Sequence, residues 1–444
     1  MNGADLLASL PKGWRRVPLK TTSDFAVSNV DKHSFDDELP VRLCNYTDVY
    51  KNDRVSPEMN LMAATATPQE IERFHLEVGD VVITKDSESW NDIAIPAYVE
   101  GVADDFVCGY HLAFIRPRKD VLEGRFLFRC LQSRPVALQL ELEATGVTRY
   151  GLPKDAIGLA VLPLPPLSTQ RSIANYLDRE TARIDGLIAE KERMLALLEE
   201  KRAALISRVV TRGLDPNAPL KPSGQEWLGE IPAHWEVCRI KFVTAWLDQG
   251  SSPIAANTPA GPEELGVLKL SAVSKGRFKR QENKALRGTD EEEQLLALRK
   301  GDVLITRGNT PELVADVACV PDDEPNLLLP DLIYRLRVQE KKVLPSYLTS
   351  FLTTAAARIQ IRRDARGSSG SMVKVSQGHV LDWLTPLPPL SEQTEIVDYL
   401  ERAEERFQSL TREVSSSLSL LSERRAALIT AAVTGQIPLE EMTG

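Results

Sequence analysis

The chain has 444 residues, is 43% hydrophobic and carries a net charge of −9 at neutral pH. That length predicts about three domains of ordinary globular composition. No apolar run approaches the ~18 residues of a membrane span, and the N-terminus lacks the pattern of a signal peptide, so we expect a cytoplasmic protein without membrane contact. The acidic balance disfavours general attraction to nucleic acid, so any DNA contact must come from local clusters of positive charge.

The chain begins with a segment of mixed character, residues 1–162. Short β-rich runs such as "DVVIT" are separated by Gly, Pro and Asn, with short helical patterns between them. This mixture predicts a globular α+β domain, although the order of its strands does not follow from the pattern.

A long helix is predicted next, over residues 163–213. The stretch "PLPPLS" opens this segment: its prolines prevent helix upstream, and Ser168 stands where an N-cap belongs. Gly213 is placed to end the helix. Residues 214–234 are then expected to form a linker.

The rest of the chain repeats the first part in the same order. "GDVVITK" at Gly79 returns as "GDVLITR" at Gly301, "PLPPLS" returns at Pro386, and "KRAALI" at Lys201 returns as "RRAALI" at Arg424. Ordered matches at a nearly constant offset of about 220 residues indicate a tandem duplication. We therefore predict a second α+β domain over 235–385, a second long helix over 386–435 with an N-cap at Ser391, and a C-terminal tail over 436–444.

Both long helices carry apolar residues at steps of four and three. Such a repeat, sustained over four to five heptads, indicates a coiled-coil seam rather than an ordinary amphipathic helix packed on its own domain. The apolar members of the two seams are Ile173, Leu177, Ile184, Leu187, Met194, Leu198 and Leu205, followed by Ile396, Leu400, Phe407, Leu410, Val414, Leu421 and Leu428.

The fold class that follows is α+β with internal duplication. Two tandem-duplicated globular domains are joined by two long helices packed as an antiparallel coiled coil, because the second helix starts at the far domain and must run back. We expect a dumbbell with a pseudo-two-fold axis.

Positive charge in the predicted globular domains, here called head 1 and head 2, is clustered in loops and at strand ends. Gly and Ser allow close approach of backbone N–H groups to phosphates, while Arg and Lys supply charge or contacts to base edges. A solvated surface loop is the plainer interpretation of any single cluster, but clusters recur at the same place in both heads. The candidate DNA-binding residues are Thr84, Lys85, Arg149, Tyr150 and Lys154 in head 1, and Lys275, Arg277, Lys279, Arg280, Thr306, Arg307, Asn309, Arg366, Ser368, Ser369, Ser371 and Lys374 in head 2.

Motifs for catalysis and for metal binding are missing from the sequence. There is no Gly-Lys dipeptide for a P-loop, no GxGxxG, no CxxC, and the five histidines are isolated. The inventory favours a binding protein over an enzyme. A coiled-coil scaffold or adaptor with two protein-binding heads is the alternative, and the acidic balance slightly favours it.

The residues resemble those of one known family. The stretch "SGQEWLGEIPAHWEVCRIKFV" at Ser223–Val243, the paired "PLPPLS-x-Q" helix starts and the "KRAALI…TRG" helix end are similar to the specificity subunit of type I restriction-modification systems. The resemblance covers nearly the whole chain, including the duplicated order of its parts. One departure is that the first copy has no counterpart of "SGQEWLGEI" before Pro11, which leaves open how the N-terminus docks against "TGQIPLEEM".

The resemblance implies a role for each part of the chain. The heads would be target-recognition domains that read two half-sites of a bipartite, asymmetric double-stranded DNA target, and the helices would be spacers that set the gap between them. The partners implied are two methylase subunits and, in the full complex, restriction/translocase subunits. S-adenosylmethionine, ATP and Mg²⁺ would belong to these partners, with no cofactor, no metal and no catalysis in this chain.

Overall fold

The structure is a computed structural model, which describes residue 7 and residues 9–287, 297–369 and 372–442. The chain divides into two compact units: unit 1 consists of 1–193 and 415–444, and unit 2 of 194–414. No helix among the described residues is long and apolar enough to cross a membrane.

Head 1 and the helix that follows it contain these elements in chain order: β1 (Arg15–Pro18), β2 (Ser23–Val27), β3 (Leu39–Cys44), α1 (Tyr46–Tyr50), β4 (Arg54–Val55), β5 (Met62–Ala66), α2 (Pro68–Phe74), β6 (Val81–Thr84), β7 (Asp86–Ser87), β8 (Pro96–Val99), β9 (Phe106–Cys108), β10 (Leu112–Pro117), α3 (Gly124–Gln132), α4 (Arg134–Leu142), β11 (Thr145–Gly146), β12 (Tyr150–Gly151), α5 (Lys154–Leu159), β13 (Val161–Leu164) and α6 (Leu167–Arg212).

Head 2 and the C-terminal helices continue the series: β14 (Leu220–Pro222), β15 (Glu230–Pro232), β16 (Glu236–Arg239), β17 (Thr244–Gln249), β18 (Gly266–Leu268), β19 (Val273–Ser274), β20 (Arg277–Phe278), β21 (Asn283–Ala285), β22 (Ala297–Leu298), β23 (Val303–Thr306), β24 (Gly308–Asn309), β25 (Val317–Cys319), β26 (Glu324–Leu328), β27 (Ile333–Val338), α7 (Pro345–Leu352), α8 (Ala355–Asp364), β28 (Arg366–Ser369), β29 (Met372–Lys374), α9 (Gln377–Asp382), β30 (Leu384–Leu387), α10 (Leu390–Val433) and α11 (Leu439–Met442).

The main sheets of the two heads share the same order over four strands, and head 1 adds a fifth strand at one edge. The main sheet of head 1 has the order β2-β10-β6-β8-β4, and that of head 2 has β17-β27-β23-β25. A second sheet, β5-β3-β9 in head 1, contains a parallel pair, as does β21-β18-β26-β22 in head 2. The fully buried central strands β6 and β23 are the predicted "DVVIT" and "DVLIT" runs. The predicted α+β class with a duplicated scaffold is confirmed.

A buried glutamine explains why "PLPPLS-x-Q" occurs twice. The Gln170 side chain accepts a hydrogen bond from the Glu123 N–H and donates to the carbonyls of Val121 and Pro165. Gln393 does the same with the Leu344 N–H and the carbonyls of Lys342 and Pro388. Each glutamine is fully buried, so its amide anchors the start of a long helix to a loop of the adjacent head.

The predicted N-caps are displaced by this arrangement. Helix α6 begins at Leu167 and α10 at Leu390, so Ser168 and Ser391 lie inside the first turn instead of capping it. Because the prolines of "PLPPLS" already hold the chain extended before each helix, the helix can start one residue before the serine.

Both long helices end on a glycine that packs against a Pro/Trp pair. Gly213 has φ +75°, and a Cβ there would lie 3.4 Å from the Trp235 ring; Gly435 has φ +72°, and its Cβ would lie 2.3 Å from Pro11 and 3.2 Å from Trp14. The positive φ favours glycine at both positions, and at Gly435 the close approach of Pro11 also leaves no room for a Cβ. The end of α10 therefore docks on the N-terminal segment of head 1 as the end of α6 docks on head 2.

The long helices run antiparallel within each unit. In unit 1 Arg425 Nε donates to Asp185 Oδ1 at 2.8 Å, and in unit 2 Leu205 and Val397 line the same cavity. Of the predicted seam, Ile173, Leu177, Ile184, Ile396 and Val414 are buried, and Leu198, Leu205, Leu400, Phe407, Leu421 and Leu428 are partly buried.

Three seam positions are corrected by the structure. Leu187, Met194 and Leu410 are 52%, 43% and 38% exposed. The antiparallel register brings the polar interruption at Lys191 level with the stretch 415–419, in which four of five residues are serine. A polar position on both helices at one level leaves little apolar surface there for neighbouring leucines to cover.

The expected linker and tail are folded. Residues 214–234 include the paired strands β14 and β15, and Leu228 and Ile231 belong to the core of unit 2. In the tail, α11 places Met442 in the core of unit 1. The buried Leu228, Ile231 and Met442 therefore make both segments part of the folded units.

Candidate nucleic-acid interface

A small sheet forms at the end of the central strand in each head. In head 1, β7 pairs with β12, which pairs with β11; we call this the first hairpin sheet. In head 2, β24 pairs with β29, which pairs with β28; this is the second hairpin sheet. Each sheet joins the strand end to the predicted glycine-containing loop, so sequence segments about 65 residues apart meet at one place.

Thr84 and Thr306, at the ends of β6 and β23, face inward and hold the segment that follows each strand in place. Thr84 and Thr306 are fully buried. The Thr84 hydroxyl accepts the Ile95 N–H at 3.0 Å, and the Thr306 hydroxyl accepts the Asp316 N–H at 2.9 Å. Their prediction as DNA contacts is corrected: each hydroxyl satisfies a backbone N–H that would otherwise be orphaned inside the fold.

In head 1 one carboxylate, that of Asp86, is contacted by the predicted cation Lys85 and by a histidine. Lys85 Nζ lies 3.0 Å from Asp86 Oδ2 and 5.1 Å from the centre of the Tyr110 ring. His111 Nδ1 lies 2.6 Å from the same Asp86 oxygen. Burial raises the pKa of Asp86, but hydrogen bonds from His111 and Lys85 outweigh it, so the pKa is lowered overall. Lys85 is largely buried and used within the protein, so it supports the site more than it faces a ligand.

The other candidates of head 1 lie on or just after the hairpin. Arg149 is exposed, precedes β12, and its guanidinium lies 3.3 Å from His111 Nδ1. Tyr150 pairs with Ser87 in the first hairpin sheet and is partly buried. Lys154 is exposed at the start of α5.

Head 2 separates its candidates into distinct places. Arg307 precedes β24, and Asn309, Arg366 and Lys374 lie in the second hairpin sheet, where Lys374 pairs with both Gly308 and Arg366. Arg366 and Lys374 are exposed. The side chains of Ser368 and Ser369 lie outside the described residues, as does Ser371.

The second cluster of head 2 lies beside the long helices or along the head surface. Arg277 Nη2 lies 2.6 Å from Glu404 Oε1 of α10, and Lys275 lines a cavity with Glu199 of α6. Arg280 is paired with Glu324 at 3.1 Å, and Lys279 is exposed nearby. Arg277 therefore contacts α10, and Lys275 lies beside a cavity that α6 also lines, away from the hairpin sheet.

Sequence reasoning missed Asp86, Tyr110 and His111. Asp86 follows the buried strand directly and could have been found by its position, whereas His111 looked like an isolated histidine. It joins the site only because β10 pairs with β6 and brings its start beside the strand end.

The fold and these clusters define a tandemly duplicated α+β protein in which each head carries a hairpin sheet with an exposed Arg or Lys on or beside it and is anchored to an antiparallel helix pair. No protein-family model matches the chain.

Curated relatives match it along nearly its full length. It is 24% identical over 445 aligned residues to the type I restriction enzyme EcoKI specificity subunit of Escherichia coli (strain K12), covering 96% of this chain and 90% of that protein. It is 21% identical to the StySPI specificity subunit of Salmonella potsdam, covering 96% and 90%.

A solved structure shares the fold. This structure, of a type I restriction-modification system studied for its complex assembly and conformational transition, has a chain that aligns with a TM-score of 0.67 at 18% identity, covering 97% of this chain and 100% of that one. The family resemblance predicted from the sequence is confirmed: the chain is a homologue of type I restriction enzyme specificity subunits.

Proposed function

We propose that this chain is the sequence-specific DNA-recognition subunit of a type I restriction-modification complex. The observation that carries the proposal is homology to specificity subunits over 96% of the chain and 90% of the relative, which includes both heads and both helices. The adaptor alternative is not favoured, because the similarity spans the heads as well as the helices.

Each head would read one half of a bipartite target through its hairpin sheet. The hairpins carry exposed Arg and Lys beside glycine, and such groups contact phosphates and base edges in the major groove. Because the heads differ at the strand ends, where Asp86 is replaced by Gly308, the two half-sites should differ in sequence.

Catalysis would belong to other subunits. Two methylase subunits would bind S-adenosylmethionine and modify adenine, and restriction/translocase subunits would use ATP and Mg²⁺. The chain itself would bind DNA weakly, because its net charge of −9 opposes long-range attraction to phosphates. We expect specific binding at physiological salt only when methylase is present; tight specific binding by the lone chain would contradict this division of roles.

The antiparallel helices would set the gap between half-sites. Inserting four residues after Leu198 extends α6 by about 6 Å and nearly preserves its heptad phase. Genome-wide mapping of methylated adenine, with the partner methylase present, should then show a longer gap and the same bases at both ends.

A matched control separates the helix from a general insertion effect. Four residues inserted after Gly261, in an irregular loop of head 2, should leave the gap unchanged. Changed half-site bases with an unchanged gap in the Leu198 variant would mean that the helices do not measure the target.

A further inference from the structure

Head 1 holds an exposed arginine in place through a chain of polar contacts. Asp86 Oδ2 lies 2.6 Å from His111 Nδ1, and Arg149 Nη2 lies 3.3 Å from His111 Nδ1 and 3.5 Å from His111 Nε2. The imidazole therefore lies between a carboxylate and a guanidinium.

The carboxylate decides which imidazole nitrogen carries the proton. Asp86 accepts from Nδ1–H, and Arg149 Nη2 lies at nearly equal distances from both ring nitrogens, which places the guanidinium against the face of the imidazole ring and not in line with either nitrogen lone pair. A guanidinium has five N–H donors, and this contact occupies few of them. Arg149 thus keeps a fork of donors for a second, planar acceptor pair outside the protein.

The backbone around Arg149 is fixed as well. Gly146 has φ +148°, and a Cβ there would lie 2.0 Å from the Arg149 carbonyl oxygen, so only glycine allows this hairpin to close. Beyond the hairpin, the Leu152 N–H donates to the Lys85 carbonyl at 2.7 Å. A rigid support with an exposed tip suits a residue that must meet a partner in one orientation.

Aromatic side chains flank this arginine. Tyr110 is 47% exposed and packs edge-on against His111, with ring centres 4.2 Å apart. Tyr46 stacks on Tyr50 at 5.4 Å, and burial raises the pKa of Tyr46 while the charge of Arg149 opposes that rise. The surroundings are aromatic and amphipathic, unlike the purely charged surface that contacts a phosphate backbone alone.

Within the described residues of head 2, this chain of contacts has no counterpart. In head 2, Gly308 occupies the position of Asp86 and Leu332 occupies the position of His111. The backbone shows this equivalence: the Arg307 N–H donates to the Leu332 carbonyl, and the Lys85 N–H donates to the His111 carbonyl. Scaffold bonds are retained at these positions while the side chains differ. Divergence limited to side chains on a retained backbone is what a change of ligand specificity requires.

We propose that Arg149 reads a guanine in the half-site of head 1, donating to O6 and N7 in the major groove, and that His111 and Asp86 are positioning residues for it. Bidentate contact of arginine with guanine is the geometry that a preorganised guanidinium fork fits best. This inference rests on the proposed function, because it presumes that head 1 binds double-stranded DNA.

The test uses the chain in complex with its methylase partner. Methylation mapping first gives the target of the parent complex, and binding is then measured to duplexes with each base pair of the half-site replaced in turn. Arg149→Ala should lose roughly 5- to 150-fold discrimination at one G·C pair, with the other positions and the other half-site unaffected. Arg149→Lys should lose discrimination there as well, since lysine keeps the charge but not the fork.

Two further comparisons distinguish a residue that contacts the guanine from residues that only position Arg149. Replacing the guanine by 7-deazaguanine, which lacks N7, should weaken the parent complex and leave Arg149→Ala unchanged. Asp86→Ala and His111→Ala should reduce discrimination at the same base pair, by a smaller factor than Arg149→Ala does. Arg118→Ala is the matched control, because Arg118 is an exposed arginine at the opposite end of β10, where it pairs with Asp24 and donates to the Thr21 carbonyl. This variant should change nothing at that base pair.

The outcomes are distinct. Uniform weakening of all duplexes by Arg149→Ala, with a salt slope shallower by about one, would mean a phosphate contact and would overturn the inference. Unchanged discrimination at every position would overturn it too. A parent complex with no bipartite target would instead refute the proposed function before any variant is compared.

Discussion

Head 1 and head 2 share the hydrogen bonds of their buried polar side chains and differ in the side chains at the ends of their central strands. Gln170 and Gln393 make the same three hydrogen bonds, and Thr84 and Thr306 accept the same turn N–H. At the strand end beside each threonine, however, head 1 has an Asp–His–Arg chain and head 2 has glycine and leucine. Duplication has thus retained the side chains that satisfy buried backbone groups, whereas the side chains at the surface beside the strand end have changed.

The largest difference expected between equivalent scaffold residues concerns the tryptophans at the helix ends. Trp235 is fully buried and its Nε1–H donates to Glu392 Oε2 at 2.9 Å, whereas Trp14 is only partly buried. Trp235→Ala should lower the free energy of unfolding by about 3–5 kcal/mol, and Trp14→Ala by clearly less. Urea titration followed by far-UV circular dichroism measures both. Equal losses would show that the two helix ends are anchored equally.

The buried glutamines should behave alike. Gln170→Ala or Gln393→Ala leaves one backbone N–H and two carbonyls without their partner, which should cost about 2–3 kcal/mol in either unit. Gln→Glu is the informative companion, because it keeps the acceptor and loses both donors. The same urea titration applies, and losses that differ by more than about 1 kcal/mol between the heads would contradict the shared role.

The strand-end threonines provide a smaller test of the same idea. Thr84→Val and Thr306→Val keep the shape and remove the acceptor of one buried N–H, so each should cost about 1–2 kcal/mol. Neither variant should alter the bases recognised by the complex. A changed base preference without a loss of stability would restore these threonines as contacts.

The smallest expected effect depends on pH and is confined to head 1. The pKa of Asp86 is lowered in the folded protein, so its contribution to stability is complete above the ordinary aspartate value near pH 4 and is lost as the pH falls below it. Asp86→Asn should therefore flatten the acid side of the stability profile. Asp24→Asn is a control on an exposed carboxylate of the same head. Identical profiles for Asp86→Asn and the parent would mean that His111 and Lys85 do not stabilise the carboxylate.

Much of the scaffold could be predicted from the sequence because it depends on repeated local patterns. The 223-residue spacing of "PLPPLS" located both long helices, and the buried "DVVIT" and "DVLIT" runs became the central strands. Helix ends marked by Gly213 and Gly435 also agree with the structure, since a positive φ leaves a clear sequence signature.

The candidate site was less predictable because it depends on pairing between distant segments. Arg149 and Lys85 were found by charge, but His111 joins them only through the pairing of β10 with β6. Thr84 was misassigned because a residue at a strand end looks exposed until the following turn folds over it. Arg277 was grouped with its neighbours in sequence, yet it contacts Glu404 on α10.

The central claim is that two heads with the same scaffold each recognise their own DNA half-site independently. Exchanging a whole head tests this claim most directly. In the variant, residues 235–385 are replaced by residues 14–162, so that the joints fall at the equivalent strand pairs β1–β13 and β16–β30. Methylated adenines are then mapped genome-wide with the partner methylase present. We predict a target whose two halves have the same base sequence, identical to the half-site of head 1, whereas retention of the parent's asymmetric target would contradict the account.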